Sequence, residues 1–167
     1  MKRLLLSALV SLLACISINA QDIVGKWTTS VKQSSKEGVE MDASTTKSFT
    51  RDGKFKTDLV IDVKERDEKG SSNVIFKIKI SCSGTWSISN SILTEQIDGK
   101  SLVSEVIDYT EEMPKMIMNM IRNSCSSEIK KASKKPSHGR IESLTDNELK
   151  VKDIDKDDST VITYKRQ

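Results

Sequence analysis

From residue 74 the chain reads Val-Ile-Phe-Lys-Ile-Lys-Ile-Ser-Cys, so Val74, Phe76, Ile78, Ile80 and Cys82 share one parity. Lys77, Lys79 and Ser81 occupy the other. A period of two sends alternate side chains to opposite faces of an extended strand, whereas a helix would mix them. The stretch is therefore a strand with one apolar and one wet face. The same parity resumes at Trp86 and Ile88 beyond Gly84, which marks either a bulge or a bend at a barrel corner. Such a strand must cover its apolar face, and that demands a sheet folded against something.

Neighbouring segments supply the rest of that sheet. Phe55, Leu59, Ile61 and Val63 alternate with Lys54, Lys56, Asp58, Asp62 and Lys64. Ahead of them Asp52-Gly53 provides the positive φ angles of a tight hairpin, which predicts a preceding strand at about 44–50. Turn residues at 89–91, 98–99, 145–147 and 156–158 then delimit strands at 92–97, 101–108, 140–144, 149–153 and 160–166. Nine or ten short strands without crossover helices predict an all-antiparallel barrel or sandwich.

One segment, about 110–132, breaks the pattern. Thr110 is a capping residue, Glu111 and Glu112 suit a helix N-terminus, and Pro114 fits the first turn. Met113, Met116, Ile117, Met120 and Ile121 follow the helical period, with Cys125 and Ile129 continuing the ridge. Lys130, Lys131, Lys134 and Lys135 complement the C-terminal dipole before Pro136.

The first twenty residues have the form of an export signal: Lys2 and Arg3, an apolar run from Leu4 to Ile18, then Asn19-Ala20. The predicted domain is therefore 21–167. Leu12-Leu13-Ala14-Cys15 offers a second processing route, since it resembles a lipobox in which Cys15 is acylated and becomes a membrane tether. Of 27 Lys and Arg, two fall in the leader, leaving 25 against 24 Asp and Glu. Near-neutral charge and few aromatics argue against nucleic acid as a partner.

Cys82 and Cys125 form an even pair in an exported domain, where disulfides persist, and a bridge between helix and barrel is expected. Such a bridge would contribute roughly 4 kcal/mol by chain entropy. Their spacing matches no zinc motif, and the single His138, expected in a basic loop, has no companion ligands. No metal and no cofactor are expected, nor is an enzyme: the nucleophile-base pairs of covalent catalysis and phosphate-cradling glycine loops are not in the sequence.

Gly25-Lys26-Trp27 at the start of the first strand, Gly84-Thr85-Trp86-Ser87-Ile88 midway and Tyr164-Lys165-Arg166 at the end together resemble the lipocalins, and more closely the small bacterial lipocalin-like domains. The resemblance spans most of residues 22–166 and implies an up-and-down barrel of about eight to ten strands. It also implies that Trp27 plugs one barrel end, that Gly25 lets the backbone curl beneath it, and that Arg166 covers the indole face. The inserted helix departs from the family, whose main helix follows the barrel strands.

Two functions follow as expectations. The first is an exported carrier or sensor of a small hydrophobic molecule or lipid in the cell envelope, with Leu59, Ile61, Phe76, Ile78, Ile80, Met116 and Met120 lining the interior, or else filling it as core. The second is an envelope-associated interaction protein with a solid barrel, meeting lipid or protein through the Met-rich helix and the basic run 130–140.

Overall fold

The computed structural model describes residues 20–34, 39–66, 71–111, 115–155 and 160–167. The expected export signal apart from Ala20, with Cys15, the first-turn residues expected at 112–114 and the turn expected at 156–158 all lie outside the described residues. The described chain is an antiparallel β-barrel closed by eight strands, with one helix.

A single 3-10 turn, Ala20–Ile23, leads into β1 (Gly25–Ser34). β2 (Val39–Phe49), β3 (Lys54–Arg66), β4 (Ser72–Ser89) and β5 (Ile92–Ile97) follow as consecutive hairpins. β6 (Val103–Tyr109) and the helix α1 (Lys115–Ala132) form an insertion, after which β7 (Ser137–Leu144), β8 (Glu148–Asp153) and β9 (Val161–Arg166) complete the circuit. β5 pairs with β7 across the insertion, and β9 closes onto β1 through only Trp27↔Arg166 and Thr28↔Lys165. The 18-residue β4 pairs with β3 along one edge, while its other edge is shared by β6 at residues 76–81 and β5 at residues 84–89.

Turn chemistry sets the register. Gly53 holds φ +74 at the β2–β3 hairpin, and Asn90 and Ser91 adopt φ +51 and +61 in the two-residue β4–β5 turn, which needs positive angles at both positions. Gly84 is not a bulge, because β4 runs through it in register with Phe55 and Ile97. A Cβ there would stand 2.1 Å from the Gln96 carbonyl oxygen, so the glycine is required by close approach of β5.

The two faces of the sheet differ as the alternation predicts. Outward side chains form cross-strand ion pairs such as Lys64–Asp42 at 3.3 Å and Lys77–Asp62 at 3.6 Å, each worth little in solvent. Inward side chains of the closed end form the main core: Ile23, Trp27, Phe49, Phe55, Trp86, Leu93, Ile141, Leu149 and Tyr164. Trp27 is fully buried, and its indole N–H donates to the Ile23 carbonyl at 2.7 Å. The 3-10 turn provides that acceptor, so the largest plug residue leaves no polar atom unsatisfied. The Arg166 guanidinium lies 4.4 Å from the indole centroid and donates to the Asp22 carbonyl at 2.7 Å. Gly25, at φ +141, passes beneath the same guanidinium.

The helix rests on the insertion. Ser104 of β6 shares a 2.8 Å hydrogen bond with Ser126, and Gln96 Nε2 donates to the Ser133 carbonyl at 2.6 Å. No described helix is long and apolar enough to cross a membrane. The expected loop around His138 is instead the first part of β7, where His138 pairs with Thr94 and Gly139 with Leu93. The strand starts three residues before the predicted Arg140 because β5 offers its edge to this segment.

Candidate functional site

Immediately above the aromatic plug the interior turns polar. Pairing places Trp27, Lys47, Thr57 and Cys82 in one row across β1 to β4. Lys47 reaches across the barrel to Glu95 of β5, its ammonium donating to both carboxylate oxygens at 2.8 and 2.6 Å. Their side chains are 18 % and 14 % exposed, enough burial for the pairing to be needed. The ammonium also lies 5.9 Å from the ring centroids of Phe55 and Tyr164.

The electrostatics follow from this crowding. Burial pulls the Lys47 pKa down, but attraction to Glu95 and Tyr164 and the hydrogen bond to Glu95 carry it above the ordinary lysine value. Burial pushes the Tyr164 hydroxyl up, against the opposing pull of Lys47. The Cys82 thiol is likewise raised by burial, with Lys47 again opposing. Lys47 is thus a charged hydrogen-bond donor, and neither Cys82 nor Tyr164 is poised to ionise near neutrality. Thr57 Oγ1 is buried with no hydrogen-bond partner among the described residues.

Beside this ion pair lies a cavity of about 170 Å³. Lys47, Glu95 and Tyr164 form its polar inner wall, Leu93, Val151 and Ile162 its apolar wall, and Ser137, His138 and Asp153 contribute further polar lining. Gly139 also contributes, and a Cβ there would meet Val151 Cγ1 at 2.3 Å, so the glycine allows β7 and β8 to close the wall. His138 Nδ1 is 2.9 Å from Asp155 Oδ1, and the His138 backbone N–H donates to the other oxygen at 2.6 Å. Burial raises the Asp155 pKa, but the hydrogen bonds from His138 outweigh it and hold the carboxyl below its usual range.

Of the seven residues expected to line a ligand chamber, five lie together on another stretch of the barrel wall. Leu59, Ile61, Phe76, Ile78 and Ile80 form a contiguous apolar strip on β3 and β4, with Leu59 opposite Ile80 and Ile61 opposite Ile78. Ile78 and Ile80 are buried and the other three half-buried, but none of the five borders the cavity. Met116 and Met120 are 79 % and 62 % exposed and so do not line the interior. The helix lies against β6 and leaves Met116 and Met120 facing outward. Cys82 is a free buried thiol, so the expected bridge to Cys125 is not formed.

Lys47, Glu95 and Tyr164 were not singled out in the sequence as binding residues. The signal that marks Lys47 is a lysine at the inward parity set by Phe49, two residues away. Among the described residues no group of three or more His, Cys, Asp or Glu could hold a metal ion. No protein-family model matches the chain, and no curated protein matches its sequence.

Proposed function

We propose that the chain is an exported, lipocalin-like binding module of the cell envelope whose ligand site is the cavity beside Lys47 and Glu95. The observation that carries this reading is a cavity of about 170 Å³ with a charged, hydrogen-bonded inner wall and an apolar side wall. Pockets for drug-sized ligands span roughly 300–1,000 Å³, so the ligand is compact and amphipathic, smaller than a lipid. In this reading the lining serves binding, through the Lys47–Glu95 pair and a Tyr164 hydroxyl that burial pushes above its ordinary pKa. Native mass spectrometry of protein from its own host tests the proposal, with a small adduct expected. Protein that carries no adduct, and whose cavity residues give no NMR shifts in a fragment screen, would overturn it.

A second reading draws on a separate observation. Met116 and Met120 are exposed one turn apart on α1, and Lys130 and Lys131 at its C-terminal end, with Lys134 just beyond it, line a shallow groove. This favours an interaction surface that meets a lipid or protein partner, with the barrel as a scaffold. Flotation with anionic vesicles, abolished by Met116→Gln with Met120→Gln, would support it.

A further inference from the structure

The hydrogen-bonding state of the inner wall specifies which chemistry it can accept. Lys47 has three N–H donors, of which two are held by Glu95. The ammonium also lies 5.9 Å from the Tyr164 ring centroid, and the two bonds to Glu95 are its hydrogen bonds among the described residues. The Glu95 carboxylate accepts only from Lys47 among the described residues, although an ionised carboxylate offers about four acceptor sites. An anion that approaches Lys47 would have to lie against the Glu95 carboxylate that the same ammonium already holds. A donor-bearing group can instead add to Glu95 without breaking the pair.

Charge in the lining points the same way. Two carboxylates, Glu95 and Asp153, border the cavity with a single ammonium, Lys47. Asp153 already accepts the Asp155 backbone N–H at 3.0 Å, so Glu95 is the principal acceptor for a ligand. Leu93, Val151 and Ile162 leave an apolar wall for a short carbon chain. A dry cavity of about 150 Å³ holds a benzene-sized molecule, so about six to eight heavy atoms fit.

We propose that this cavity selects a compact primary amine, with its ammonium donating to Glu95 and its carbon chain along Leu93, Val151 and Ile162. The inference rests on the reading of the cavity as a ligand site and adds the chemical class of that ligand. Charge-assisted donation in a partly buried site is about twice as strong as a neutral hydrogen bond, which is the source of selectivity over an alcohol.

The test is titration of the ¹⁵N-labelled protein with hexylamine, hexanoate and hexanol at one pH and ionic strength. Hexylamine is expected to shift the amides of Leu93, Gly139 and Val151 and to bind about tenfold or more tightly than either competitor. Hexanoate or hexanol binding as tightly as the amine would overturn the amine assignment and leave the cavity reading standing. If none of the three probes moves these amides, both fall. Ile162→Trp, at a wall position that is 37 % exposed, should fill the cavity and abolish the hexylamine shifts in a protein that keeps its dispersed spectrum. Shifts that persist in that variant would place the amine elsewhere and overturn the proposal.

Discussion

Phe49 and Lys47 are successive inward positions on β2, yet they belong to interiors of opposite kind. Phe49 packs edge-on against Trp86 at 5.4 Å and against Phe55 at 6.3 Å, with Trp27 and its Arg166 cover completing a solid base. In the row above Phe49, which Trp27 shares, Lys47 spans to Glu95 beside an open cavity. The base derives its stability from apolar area and ring packing. The ion-pair row does not, because the desolvation of two charges roughly cancels their attraction. A stable plug thus supports a row whose composition is free to serve recognition.

The sharpest way to break this contrast is Trp27→Ala. Removing the fully buried indole should cost about 3–5 kcal/mol, a large part of a typical domain's stability, read from the urea-unfolding midpoint. A loss below about 1 kcal/mol would mean that the plug is not the stabilising end. Next in size is Glu95→Leu, which strands the Lys47 ammonium. With solvent still reaching the pair, the expected cost is about 2–3 kcal/mol, and Lys47→Met combined with Glu95→Leu should return to within about 1 kcal/mol of the wild type. If the double variant is no more stable than the single, the row behaves as ordinary surface.

Alkaline titration sharpens the same point. The folded-state pKa values of Lys47 and Tyr164 are both raised, so the folded form retains protons that the unfolded chain loses first. Their contribution is present through neutral pH and should fall as pH climbs beyond about 10. The Lys47→Met, Glu95→Leu variant should show a shallower fall in urea midpoint over that range. Arg166→Ala comes next, losing the stacked guanidinium and its bond to the Asp22 carbonyl for about 1 kcal/mol, seen as a drop in Tm. An unchanged Tm would remove Arg166 from the plug. Smallest of all, Met116→Gln and Met120→Gln should each leave stability within about 0.5 kcal/mol, because both side chains are solvated.

The barrel was legible where inward residues are large and apolar, as on β3 and β4, whose alternation gives both strand identity and facing. β2 was traced only in part, because its inward positions above Phe49 are Lys47, Thr45, Ala43 and Met41, which mute the period-two signal. The same muting concealed the cavity: the residues that shape it are polar at positions where alternation leads one to expect core. Helix periodicity located α1 but not its facing, since Met serves equally well against a core or in solvent. The Ser and Lys residues around His138 predict a loop, whereas pairing with β5 decides its conformation.

Two residue pairs sew the first strand to the last, Trp27 with Arg166 and Thr28 with Lys165. During synthesis the indole therefore waits for nearly the whole chain before its sheath exists. At about 5–20 residues per second that delay is on the order of ten seconds, during which the hairpins can zip while the vessel stays unsealed. Truncation even a few residues short of Gln167 would leave a ribbon with an exposed tryptophan and a ready template for foreign strands.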